Sequence, residues 1–134
     1  MSKIVLNYNG DLRCSCEHVR SGTSIVTDAP VDNNGKGESF SPTDLLATAY
    51  VSCMMTIVGI YCDNNNLKFK QGKGEVEKIM FSNPRRIGRL NIKLDFSNND
   101  WSESQRKKIE QVSKACPVAK SVSGEIDIDV NFQY

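Results

Sequence analysis

At 134 residues the chain is one domain's worth of sequence. Its 17 Lys and Arg against 16 Asp and Glu leave a net charge of +1, which excludes the basic footprint of a nucleic-acid binder or an acidic-membrane binder. The start, MSKIVLNYNG, holds no apolar stretch of signal-peptide length, so the chain is expected in the cytoplasm, where five cysteines argue against a disulfide framework.

Residues 3–8 (KIVLNY) alternate as a strand, and Asn9-Gly10 is a hairpin signal. Residues 12–19 (LRCSCEHV) place Leu12, Cys14, Cys16 and His18 on one side of a second strand. Arg20-Ser21-Gly22 turns the chain into a third, Ser24 to Thr27, which completes an antiparallel meander. A loop rich in Asp, Asn, Gly and Pro (DAPVDNNGKGES) follows.

The run from Phe40 to Cys62 (FSPTDLLATAYVSCMMTIVGIYC) is a helix with a marked start. Ser41 is its N-cap, Pro42 its first residue and Asp44 its third, an approximate capping box, with Phe40 and Leu45 as a hydrophobic staple. No charge occurs from Leu45 to Cys62, and apolar residues occupy nearly every side. Such a helix is buried. A membrane span is the alternative by length, but Thr48, Tyr50, Ser52, Thr56 and Gly59 dilute the run and the cap favours a soluble core helix. Its apolar surface exceeds what one small chain's sheet can cover, so a homodimer with a shared apolar interface is expected.

Asp63 to Asn66 stops this helix. Two long strands follow, near residues 68–81 and 86–96, joined at Asn83-Pro84-Arg85; Leu90, Ile92, Leu94 and Phe96 alternate cleanly in the second. Ser102 with Gln105 is a capping box for a helix from Glu103 to Ala115. Pro117 opens a short third helix through about Val122, and Ile126, Ile128, Val130 and Phe132 alternate to the end as a last strand. The order β-β-β-α-β-β-α-α-β predicts an α+β fold with antiparallel sheets around a buried central helix.

Two thiols invite a chemical reading. Cys53, in the middle of the long helix, reads by itself first as inert packing, with a reactive thiol as the alternative. Cys116 falls at the N-cap of the third helix, where backbone N–H groups favour thiolate, although space filling between two helices is the alternative. Nine residues at ~100° each put Cys62 on the opposite face from Cys53, so it reads as packing. Cys14-x-Cys16 on one strand face also reads as packing, and with one histidine and no C-x-x-C no metal site is expected. Arg20 is a turn residue that could stand as a cation beside a thiolate or peroxide.

Together S-P-T-D-L-L, Cys53 in the long apolar helix, and A-C-P-V-x-K-S resemble the OsmC/Ohr family of osmotically inducible and organic hydroperoxide resistance proteins over almost the whole chain. The resemblance implies a single OsmC-like domain over residues 1–134, an OsmC-like α+β fold and an intertwined homodimer with active sites at the subunit interface. It implies that Cys53 attacks the peroxide and becomes a sulfenic acid, that Cys116 resolves it as a disulfide, and that an external dithiol restores both, with no cofactor. Arg20, in V-R-S-G-T, matches the family's thiolate-stabilising arginine. One departure is clear. The family's peroxidases carry a Glu after the helix-starting Pro to pair with that arginine, and this chain has Thr43 there; Asp44 is rotated from that place by ~100°.

The leading functional expectation is thiol-dependent reduction of organic hydroperoxides. Two alternatives stand beside it: a non-enzymatic dimer that binds a small hydrophobic ligand at its interface, which Thr43 favours, and a sensor in which Cys53 responds to oxidants or electrophiles. Neither a nucleic acid nor a membrane is an expected partner.

Overall fold

The structure is a computed structural model, which describes residues 1–122 and 124–134. The chain falls into two compact units, Met1–Leu46 and Ala47–Tyr134.

In the first unit, β1 (Ile4–Tyr8), β2 (Arg13–His18) and β3 (Thr23–Asp28) form the expected antiparallel meander. Ile4 pairs with His18 and Arg13 with Asp28. The first turn is longer than Asn9-Gly10 implied. Gly10, Asp11 and Leu12 all have positive φ, and Asn9 N–H donates to the Arg13 carbonyl (2.9 Å), so Leu12 belongs to the turn and not to β2. Ile4, Leu6 and Tyr8 of β1 and Ile25 of β3 are exposed. After β3 the chain folds back on itself through a 3-10 turn at Val31–Asn33. Gly37 N–H donates to the Ala29 carbonyl (3.1 Å), and Gly35 packs so close to that carbonyl that no side chain would fit.

The long helix α1 (Pro42–Asn64) starts as its sequence dictates. Ser41 Oγ accepts from Asp44 N–H (3.0 Å), and Asp44 Oδ2 accepts from Ser41 N–H (2.9 Å). By length and composition α1 could cross a membrane. Burial is not all-round as the sequence suggested. Ala47, Tyr50, Val51, Met54, Val58 and Cys62 make one buried stripe, whereas Ala49, Ser52, Thr56 and Ile60 are exposed. A three-stranded sheet can cover only one side of a helix.

That sheet comprises β4 (Lys73–Phe81), β5 (Arg86–Asp95) and β6 (Asp127–Gln133), in the order β4-β5-β6. Gly74 of β4 lets α1 approach: a Cβ there would stand 2.7 Å from Val51 Cγ1. β4 and β5 are antiparallel, but β6 lies parallel to β5, pairing Arg89 with Asp127 and Asp95 with Gln133. The expectation of wholly antiparallel sheets is corrected here. Between β5 and β6, α2 (Glu103–Lys114) and α3 (Pro117–Ser121) carry the chain back to the end at which β5 began, which a hairpin cannot do. β4 also begins later than expected. Residues 70 and 71 are held by Asn99, whose Oδ1 accepts from Lys70 N–H (2.7 Å) and whose Nδ2 donates to the Gln71 carbonyl (2.7 Å). Leu90, Leu94, Phe96 and Ile109 are fully buried, and Phe69, Trp101 and Tyr134 ring Phe96.

Candidate functional site: a thiol pair beside a cavity

Two elements bring the chemistry together. Cys53 sits half-buried near the centre of α1, one turn after Tyr50 and directly before Met54. Cys116 is the N-cap of α3, with Pro117 as the first helical residue. Its sulfur accepts from Ala119 N–H at 3.4 Å, the cap the sequence predicted. Both are free thiols, and they are near enough for Cys53 to act on the ionisation of Cys116.

The electrostatics at Cys116 run against the sequence expectation. Burial pushes its thiol above the ordinary value, and the Ala119 and Val118 N–H groups only partly offset this. Cys53 adds to the rise, as a neighbour that accepts from a protonated thiol does. The helix start favours thiolate, but Cys116 is fully buried and α3 has only five residues. Cys116 therefore rests as a thiol beside Cys53.

Tyr50 is the third member of the cluster. It is 6% exposed, and its phenol is pushed above the ordinary value first by burial and then by the Cys116 sulfur. The sequence singles out Tyr50 only as one of the residues that dilute the apolar run; its spacing of three residues from Cys53 is the available signal. Tyr50 and Met54 also wall a cavity of about 420 Å³, completed by Lys114, Ile128, Asp129 and Val130. Lys114 lies over the Phe132 ring at 5.6 Å, and Asp129 pairs with Arg89 at 3.2 Å. Ile128 and Val130 were legible only as strand positions, and Lys114 and Asp129 carried no site signal in the sequence.

The remaining cysteines stand apart in character. Cys62 is fully buried, and burial followed by the Asp63 charge pushes its thiol up, which fits packing. Cys14 and Cys16 lie on β2 in the first unit. Among the described residues no group of three His, Cys, Asp or Glu stands close enough to hold a metal ion.

Arg20 belongs to the first unit, exposed in the β2–β3 turn. That turn is braced by Gly22 N–H donating to the His18 carbonyl (2.8 Å) and by Ser21 Oγ against His18 Nδ1 (2.6 Å). Thr43 Oγ1 lies 3.1 Å from Ser41 Oγ, and Asp44 serves as the cap. A different arginine carries the strong ion pair of this unit. Arg13 donates to both oxygens of buried Asp28 (2.7 and 2.8 Å) and to Glu38 (3.1 Å). The sequence reading missed it; a register that sets Arg13 opposite Asp28 cannot be read before the strands are paired.

Comparison with known proteins fits this architecture. The OsmC-like protein family profile matches residues 35–131. A crystal structure from Psychrobacter arcticus 273-4, of a protein named for osmotic stress induction and detoxification response, is 42% identical over 99% of this chain and 96% of its own, with a TM-score of 0.93. A Legionella pneumophila organic hydroperoxide resistance protein OsmC shares the fold at 12% identity, with a TM-score of 0.77 over 100% of this chain and 97% of its own. So does a Vibrio cholerae protein named for organic hydroperoxide resistance, with captopril bound in one of its active sites: 14% identity, a TM-score of 0.77, and coverage of 98% and 90%. None of the curated proteins matches the chain. The match across most of the sequence and the shared fold make this chain a member of the OsmC/Ohr family.

Proposed function

We propose that this chain, one OsmC-like domain over residues 1–134, reduces organic hydroperoxides with its two thiols, as a soluble redox protein of the cytoplasm. The observation that carries the reading is the pairing of Cys53 with Cys116 beside Tyr50, which walls the 420 Å³ cavity. The Cys53 thiolate attacks the terminal oxygen of the hydroperoxide. An S–O bond forms, the O–O bond breaks, and the peroxide leaves as its alcohol while Cys53 becomes a sulfenic acid. Cys116 then attacks the sulfenic sulfur, the disulfide forms and water leaves. An external dithiol reduces the disulfide and is itself oxidised. The protonated state of Cys116 fits its place as the sulfur that acts second. The apolar wall of Met54, Ile128 and Val130 suits an organic peroxide better than hydrogen peroxide. Hydroperoxide resistance in the names of the Legionella and Vibrio proteins supports the same chemistry.

The cationic role of Arg20 rests on its place in V-R-S-G-T. The homodimer rests on the exposed apolar residues of β1 and α1 and on the family fold. A second reading, ligand binding without turnover, is favoured by Thr43 where the family's peroxidases carry Glu. Stoppered, stoichiometric thiol loss separates the two. The peroxidase reading predicts that cumene hydroperoxide consumes the thiols much faster than hydrogen peroxide does. Equal, slow loss with both, no faster than for a free thiol, overturns it.

A further inference from the structure

We propose that Tyr50 is the acid of the peroxide-cleavage step, the group that delivers a proton to the departing alkoxide. This rests on the peroxidase reading above and adds a residue to it.

Cleavage of an alkyl hydroperoxide by a thiolate leaves an alkoxide, a strong base that a water-poor site must protonate as the O–O bond breaks. Four observations converge on Tyr50 as the donor. It lies on α1 one turn before Cys53, a spacing that makes two helix side chains neighbours. It is close enough to Cys116 for a charge on that sulfur, once ionised, to act on it. It forms part of the cavity wall, and it is 6% exposed. Its hydroxyl makes no hydrogen bond among the described residues, so nothing there competes for its proton. A bound peroxide oxygen would supply that hydroxyl with a partner.

The other polar groups at the cavity fit less well. Asp129 is paired with Arg89, and a carboxylate accepts rather than donates. Lys114 can donate, but it is exposed and lies over Phe132. Cys116 is not part of the cavity wall, and its proton is needed for the step that follows. In the proposed step Cys53 sulfur bonds to the terminal oxygen, the alkoxide takes the Tyr50 proton and departs as an alcohol, and the tyrosinate recovers a proton from solvent. The oxidant is the organic hydroperoxide; the thiol is oxidised and the peroxide reduced.

The test compares leaving groups in Tyr50→Phe, which removes one oxygen and leaves the ring in place. Single-turnover oxidation of Cys53 is followed with cumene hydroperoxide, whose leaving group is an alkoxide, and with peracetic acid, whose leaving group is a carboxylate that needs no proton. We expect Tyr50→Phe to lose about 100-fold with cumene hydroperoxide, the usual scale of general-acid catalysis, and within about twofold with peracetic acid. A solvent deuterium isotope effect on the wild-type cumene hydroperoxide reaction should be absent with peracetic acid; this needs no variant. Equal losses with both oxidants assign Tyr50 a packing role and overturn the proposal. So does a leaving-group-dependent loss that appears in Lys114→Met and not in Tyr50→Phe. In both cases the fast wild-type reaction leaves the peroxidase reading standing. A wild type that oxidises no faster than a free thiol overturns that reading, and the proposal with it.

Discussion

Two fully buried titratable groups, Cys116 and Asp28, are pushed in opposite directions by their surroundings. Burial dominates at Cys116 and keeps it protonated, while the Arg13 guanidinium overcomes burial at Asp28 and holds its carboxyl below the ordinary value of 3.8. Because the folded state holds Asp28 as a carboxylate more firmly than the unfolded chain does, the pair stabilises the fold above pH 3.8. That contribution is lost as pH falls through the folded value. Arg13→Ala leaves a buried carboxylate with only the Glu38 N–H and weaker charges as partners. We expect its melting temperature to drop clearly below wild type at pH 7, with the gap closing as the pH is taken below 3.8. A gap that is constant across pH would show that Arg13 acts through packing alone. Little of this was legible in the sequence: at Cys116 a thiolate favoured by the cap stood beside space filling between two helices, and Arg13 read only as a strand residue.

Elements were far more legible than their partners. Ser41 with Asp44 and Ser102 with Gln105 predicted two helix starts, and both are reciprocal caps. Cap signals are local, so the residues that make them are near in sequence. The direction of β6 is not local. Its alternation at Ile128, Val130 and Phe132 identifies a strand with one inward face but is the same whether it pairs parallel or antiparallel. The start of β4 was misplaced for a similar reason, since Asn99, which captures residues 70 and 71, is distant in sequence. The site shows the same division. Cys53 and Cys116 stand out by their motifs, whereas Tyr50, Lys114 and Asp129 meet only through tertiary packing. One packing contact gives a direct test at this scale. Gly74→Val would thrust a branched side chain onto Val51 and separate α1 from its sheet. Overpacking of this kind costs about 1–3 kcal/mol, measurable as a lower urea midpoint. No change would mean that α1 does not rest on β4 at this point.

For the whole molecule, what matters is how much apolar surface one chain leaves open. Ile4, Leu6, Tyr8, Ile25 and Ile60 are each about half exposed or more, which few isolated small proteins sustain as continuous patches. We expect a dimer in sedimentation at micromolar concentration, and we expect Ile60→Glu to shift it towards monomer; a wild type that sediments as a stable folded monomer would contradict this. The central claim concerns the division of labour between the two thiols, and one experiment reaches it most directly: mass spectrometry after a single equivalent of cumene hydroperoxide, with dimedone present, on wild type, Cys53→Ser and Cys116→Ser. The account predicts a Cys53–Cys116 disulfide in the wild type, a dimedone adduct on Cys53 in Cys116→Ser, and no oxidation in Cys53→Ser. An adduct on Cys116 in Cys53→Ser with an inert Cys116→Ser would reverse the roles, and a wild-type disulfide through Cys14 or Cys16 would contradict the mechanism outright.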